Sequence, residues 1–93
     1  MEMNLTQHAR SRLQQRGIPL NILEPLLTFG HEEHDHRGGA IVYFNHRAKE
    51  RLRRTFGKDI YKRMEPHLDA YAVIARDGAI ITVGHRTQRI NRN

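Results

Sequence analysis

Two groups of side chains in this 93-residue sequence carry the components of phosphodiester chemistry. His8, Arg12 and Arg16 recur at i, i+4, i+8, so a helix sets all three along one edge. His85 and Arg86 follow a β-branched run near the other end of the chain, with Arg89 three residues further on. Cleaving RNA without a metal needs a base for the 2′-hydroxyl, an acid for the departing 5′-oxygen and fixed cations around the phosphorane. Histidine can make either proton transfer because its pKa lies near neutral pH. Arginine holds phosphate oxygens with two parallel hydrogen bonds. His8 and His85 are the acid–base candidates, Arg12 and Arg86 the catalytic cations beside them, and Arg16 and Arg89 phosphate contacts. His46 is a spare imidazole. A single histidine is ordinarily a surface residue, so the case rests on two His-plus-Arg groups in one small domain.

The bulk composition favours the same class of partner. Sixteen Lys and Arg face ten Asp and Glu, a formal +6, and thirteen of the sixteen are arginine. Arginine's planar fork suits phosphate, where lysine is a hydrated point charge. A polyanion such as RNA is the expected partner, against the alternative that a basic surface only aids solubility. The run from Arg47 to Arg63, with Arg47, Arg51 and Arg54 as its nucleic-acid contacts, is the expected electrostatic footprint. An exposed helix face is the plainer explanation of that run. There is no cysteine, which excludes disulfides and thiolate metal sites. No apolar run approaches the ~18–20 residues of a membrane span, and the first residues lack the pattern of a signal peptide. The expectation is a soluble cytoplasmic protein without a cofactor.

The elements that must position these groups follow from local signals. Thr6 is an N-cap, Leu5, Ala9 and Leu13 form the buried stripe of the first helix, and Gly17 ends it. Pro19 opens a second helix, with Ile22, Leu23, Leu26 and Leu27 inward and Gly30 at its end. Pro25 predicts a kink or restart within it. Residues 31–36 read as an extended edge, Gly38-Gly39 as a turn, and Ala40-Ile41-Val42-Tyr43-Phe44 as a strand. Asn45 caps a third helix to Gly57 with Ala48, Leu52 and Phe56 inward; Asp59 to Met64 can add a further turn before Pro66. Asp77-Gly78 between Ala70–Ala75 and a β-branched run predicts a closing hairpin in the middle of the sheet. Residues 87–93 are a basic, flexible tail. The order ααββαββ gives an α+β fold in one domain: N-terminal helices packed on a small, mostly antiparallel four-stranded sheet.

Alternation along the last strand turns Ala79, Ile81, Val83 and His85 one way and Ile80, Thr82, Gly84 and Arg86 the other. Gly84 within a strand marks a bulge or a close approach, and so can bring His85 and Arg86 to one site. His31-Glu32-Glu33-His34-Asp35-His36 competes as a metal site. Its spacing matches no ligand motif, and charge that guards a sheet edge explains it equally well, so no metal is assigned. The six aromatic residues read mostly as core, without a base-stacking platform.

Thr6-Gln7-His8-Ala9-Arg10-Ser11-Arg12 followed by Arg16-Gly17-Ile18, together with Ile81-Thr82-Val83-Gly84-His85-Arg86, resembles a family of small uncharacterised bacterial proteins carrying a domain-of-unknown-function label. These are similar in layout to the BrnT and RelE toxins and the wider barnase–EndoU–colicin–RelE ribonuclease class. The resemblance implies a helix-then-antiparallel-sheet fold and a metal-independent ribonuclease restrained by an acidic antitoxin. Its matching positions are His8, Arg12, Arg16, His85 and Arg86; residues 31–36 match no ribonuclease role. The leading expectation is thus a toxin-type endoribonuclease. The alternatives are a non-catalytic nucleic-acid-binding or regulatory module, and a protein whose basic surface pairs with an acidic antitoxin-like chain.

Overall fold

The computed structural model describes residues 4–86. Arg89 and the tail 87–93 lie outside the described residues. The chain forms α1 (Gln7–Gln15), α2 (Leu23–Phe29), β1 (His31–His34), β2 (Ala40–Tyr43), α3 (His46–Phe56), α4 (Lys58–Met64), β3 (Ala70–Ile74) and β4 (Ile80–His85). This is an α+β fold whose four strands make one open antiparallel sheet in the order β1-β2-β3-β4. The region Lys58–Met64 is a helix in its own right, so the order is ααββααββ rather than ααββαββ. A glycine with φ of +87° at Gly57 separates it from α3.

Local chemistry sets the helix ends. The Thr6 hydroxyl accepts from the Ala9 N–H, and the Asn45 side chain accepts from the Ala48 N–H at 2.8 Å. At the end of α1, Gly17 at φ +63° lets its N–H reach the Gln14 carbonyl while Ile18 N–H reaches that of Leu13. Pro25 produces the expected restart. A 3₁₀ turn over Leu20–Ile22 hands over to α2, which puts Pro25 in the first turn, where a missing N–H costs no helical bond.

α1, α2 and α3 cover one face of the sheet, α4 packs against α3, and the core lies between the layers. Ala9, Leu13, Leu23, Leu26, Ala48 and Leu52 meet Val42, Ala72, Ile80 and Val83. Phe56 departs from the predicted stripe. It remains 38% exposed, because its ring turns outward to meet Phe29 edge-on at 5.9 Å between centroids.

Two features of the closing hairpin differ from expectation. It lies at the side of the sheet: β2 and β3 are central, and β4 is flanked by Leu5, which bridges it in parallel. Thr6 N–H donates to the Ile80 carbonyl, and Ile80 N–H to that of Asn4. The second feature is a bulge. Val73 pairs with Thr82 but Ile74 with Ile80, which leaves Ile81 as the extra residue. The alternation predicted from sequence therefore holds from Thr82 onward and reverses before it: Ile80 is buried and Ile81 is 38% exposed. The turn reflects the same adjustment. Only Gly78, not Asp77, has positive φ, and the Asp77 carboxylate instead accepts from the Ala79 N–H.

Truncating Leu52, which is fully enclosed in this core, leaves a cavity between α3 and the sheet. The Leu52→Ala variant is expected to lose about 2–5 kcal/mol of stability in urea denaturation, while the half-exposed Phe56→Ala loses markedly less.

Candidate functional site

The register of the sheet assembles a pocket at one end. Across neighbouring strands, Tyr43 stands opposite Tyr71, and Tyr71 opposite Gly84. These residues belong to the sheet face away from the helices, where Ile41, Tyr43, Tyr71 and Val73 stay half-exposed while Val42, Ala70 and Ala72 are buried beneath. Gly84 has a definite packing role here. A Cβ at this position would lie 2.8 Å from the Tyr71 hydroxyl and 2.9 Å from a guanidinium nitrogen of Arg16. The Arg16 side chain thus passes from the end of α1 around the β4 edge and settles over Gly84, beside the Tyr71 phenol. Gly84 is a close-approach position, and the bulge sits three residues earlier.

His85 anchors this arrangement from the helix side. One ring nitrogen lies 2.8 Å from the Asp69 carboxylate and the other 2.9 Å from the backbone carbonyl of Arg16. Both partners are acceptors, so the two contacts are satisfied together when both ring nitrogens carry a proton. The Arg16 carbonyl, followed by the Asp69 carboxylate, raises the His85 pKa above its ordinary value; partial burial and the Arg16 cation only partly oppose this. The next residue continues the wall. Arg86 N–H donates to the Asp69 carbonyl, and the Arg86 guanidinium stacks 3.6 Å above the centre of the Tyr43 ring. The Tyr43 hydroxyl donates to Glu33 at 2.7 Å, which raises its pKa and keeps it a neutral phenol.

The resulting cavity of about 660 Å³ is lined by Arg16, Lys49, Arg86, His85, Asp69, Tyr43 and Tyr71, over an apolar floor that includes Phe44 and Leu68. Among the described residues, Arg16, Lys49 and Arg86 have no carboxylate within 4.0 Å, whereas Asp69 is committed to His85. Three cations without a carboxylate partner thus share the wall of one hollow, an arrangement of charge complementary to phosphate oxygens.

The structure joins Arg16, His85 and Arg86 and separates them from the other proposed catalytic residues. His8 lies in the first turn of α1, two turns and about 12 Å of helix rise from Arg16. Its Nε2 accepts from Arg12 Nε at 3.2 Å, and Arg12 also contacts Gln15 on the exposed helix surface. Neither His8 nor Arg12 lines the pocket. A shared His8–His85 centre is therefore not formed, since a straight helix cannot bring its two ends to one point. On α3, Arg47 and Arg51 border a separate hollow beside the end of α2, with Arg51 5.4 Å over the Phe29 ring. Arg54 lines none of these cavities. His46 is likewise absent from the pocket.

Residues 31–34 form the sheet edge, and their side chains pair as His31–Glu33 at 3.7 Å and His34–Glu32 at 3.2 Å. Asp35 is used in the turn, accepting from Arg37 and Gly39 N–H. Among the described residues no three His, Asp or Glu converge as a metal site.

Asp69, Tyr71, Tyr43 and Lys49 are site residues not predicted from sequence. A signal for two of them was present: counting outward from a two-residue Asp77-Gly78 loop pairs Tyr71 with Gly84 and sets Asp69 across from Arg86. In the structure Ala75 N–H donates to the Ala79 carbonyl across a three-residue loop, 76–78, and this offset is cancelled by the extra Ile81, so this register is the one the strands adopt. Compared with protein-family models, curated proteins and solved structures, the chain matches none. No helix among the described residues is long and apolar enough to cross a membrane.

A raised folded-state pKa stabilises the fold fully below the unfolded value near ~6.5, and the contribution disappears as pH rises through the folded value. Urea denaturation of wild type and His85→Gln at pH 5.5 and pH 9 is therefore expected to show a larger stability gap at the lower pH.

Proposed function

We propose that this protein is a metal-independent endoribonuclease acting at the pocket beyond the end of β4. The observation carrying the reading is the convergence of Arg16, Arg86 and Lys49, none with a carboxylate within 4.0 Å among the described residues, on one cavity in which the Tyr71 hydroxyl lies beside Arg16. In this reading the two guanidiniums hold the non-bridging oxygens of one phosphodiester and stabilise the charge that grows on them. The 2′-oxygen attacks phosphorus and loses its proton; the bond from phosphorus to the 5′-oxygen breaks, and that oxygen gains a proton. The products are a 2′,3′-cyclic phosphate and a 5′-hydroxyl. Tyr71, beside Arg16, is the proton-transfer candidate. His85 is a positioning residue: its ring nitrogens hold Asp69 and the carbonyl of Arg16, which fixes the backbone from which the Arg16 side chain departs. The same engagement favours a second reading, an RNA-binding module without turnover, because the one imidazole in the pocket has no free nitrogen. Toxin-type action and restraint by an acidic antitoxin-like chain belong to the first reading as an extension drawn from the resemblance in the sequence.

Incubation of RNA with pure protein in EDTA is expected to yield 2′,3′-cyclic phosphate ends. Arg16→Ala and Arg86→Ala should each reduce the rate about 10²–10³-fold, and Tyr71→Phe should also reduce it, while His8→Ala stays near wild type. RNA that is bound at low salt but left intact moves the assignment to the binding module. RNA that is neither bound nor cut removes both.

A further inference from the structure

The hollow beyond β4 is larger than a contact with phosphate oxygens requires. Its volume of about 660 Å³ falls within the ~300–1,000 Å³ of pockets that enclose a whole small molecule. Besides its three cations it has an apolar lining from Ile41, Phe44, Leu68 and Ala70. A phosphate gains nothing from such a lining, whereas a flat, weakly hydrated ring does. One wall is also built as a platform. The guanidinium carbon of Arg86 lies 3.6 Å from the centre of the Tyr43 ring, a separation too short for an edge-on approach, so the group lies flat on the ring. The ring is held in turn: its hydroxyl donates to Glu33 at 2.7 Å, and His31 meets it edge-on at 5.5 Å between centroids. One guanidinium face is thus spent on Tyr43, while Arg86 itself is exposed and lines the hollow. The outer face of such a group takes a flat ring, and its in-plane N–H groups take phosphate oxygens. The aromatic residues alone predict no stacking platform; the Tyr43–Arg86 pair, drawn from β2 and the residue after β4, makes one.

We infer that the hollow receives one unpaired nucleobase, stacked on the outer face of Arg86, so that the RNA bound there is single-stranded. This inference rests on the reading of the pocket as an RNA site and names the class of RNA that it accepts. A base within a duplex has both faces covered by its neighbours and its pairing edge engaged. It offers no face to Arg86 until it leaves the stack, at a cost that an unpaired base does not bear. With the base on Arg86, the phosphate of the same nucleotide stays near the guanidinium edge, and Arg16 and Lys49 line the same hollow. Phosphate alone would account for the cations and leave the apolar lining and the outer guanidinium face unused. A purely apolar ligand would use the lining and leave three cations, none with a carboxylate within 4.0 Å among the described residues, without a counter-charge. A nucleotide unit meets both demands. Ile41, Tyr43 and Tyr71 belong to the sheet face that no helix covers among the described residues, so a longer strand can pass through the hollow. Lysine at position 86 would keep the charge but present no plane, which separates stacking from phosphate contact.

The test uses the full chain in EDTA at low salt and fluorescent octanucleotides with 2′-fluoro sugars, which lack the hydroxyl needed for cleavage. Three probes carry the same phosphates per strand: an unstructured single strand, that strand paired with its complement, and a strand abasic at every position. The single strand is expected to bind at least about tenfold tighter than either of the others, the effect of stacking one base. In Arg86→Lys the ratio of single-strand to abasic affinity is expected to fall below about threefold. Tyr43→Leu, which removes the ring beneath Arg86, is expected to lower the same ratio. Because Arg86 is exposed, Arg86→Lys should keep the wild-type circular dichroism and melting temperature, which separates a lost platform from a lost fold. Equal binding of all three probes overturns the inference and leaves the pocket standing as a phosphate contact for RNA. So does a single-strand preference that survives Arg86→Lys, which would move the base elsewhere on the surface. Adenosine 5′-monophosphate that displaces the octanucleotide at equal concentration would assign the hollow to a free nucleotide and also overturn it. Binding of none of the probes removes both the inference and the RNA site on which it rests.

Discussion

The His85 ring joins three parts of the chain that share no local sequence: the last strand, the residue leading into β3, and the carbonyl that closes the first helix. Its two donors point in different directions, so it works as a strut rather than as one half of an ion pair. Without it, the carbonyl of Arg16 would lack this partner, and the backbone that launches the Arg16 side chain around the sheet edge would lose its fixed direction. The placement over Gly84 of the guanidinium, one of the three cations of the pocket, follows from this junction. A half-exposed His–Asp pair contributes little to stability by itself. Its importance lies in geometry: it fixes how the end of a helix meets the end of a strand.

That dependence explains an arrangement that would otherwise look wasteful. The chain has seven histidines, yet the one in the pocket is occupied on both nitrogens, while His8 sits on an open helix surface. On the proposed reading, a phosphate site would gain more from arginines in fixed positions than from a mobile base, because preorganised charge needs no rearrangement as the transition state forms. Arg86 is fixed in a comparable way, with its guanidinium resting on a ring that is itself tethered through its hydroxyl to Glu33.

The parts of the structure legible in the sequence were those whose causes are local. Thr6, Asn45, Gly17 and Gly57 act within a few residues of themselves, and the helix ends fall where they indicate. Pro25 forced a restart for the same reason. What could not be read locally was anything that depended on a neighbour distant in sequence. Ile81 belongs by type and spacing to the inward row, yet the extra residue turns it outward, and the Thr6 hydroxyl meets its carbonyl at 3.3 Å. Phe56 continues the spacing of Ala48 and Leu52, but α3 ends there and Phe29 offers the ring a contact outside the core. The candidate site divides along the same line. Arg16, His85 and Arg86 were recognisable by type, whereas Asp69, Tyr71 and Lys49 matter only through what the register places beside them. The pairing of His8 with His85 failed because equal spacing along a helix shows a common stripe, not a common end.

The two sides of the sheet are sealed by different means. Along β4, the backbone of Asn4 and Thr6 takes up the strand's hydrogen-bonding groups at Ile80, and α1 packs against the same strand. Along β1 no backbone cover of this kind is present among the described residues, but all four residues are exposed and carry His–Glu pairs on both faces. An incoming strand would have to settle among imidazoles and carboxylates on either side, a poor template for pairing. The sheet is thus a finished object in the direction in which sheets grow. Encounters with other molecules are left to surfaces defined by side chains, where shape and charge rather than generic backbone pairing decide what adheres.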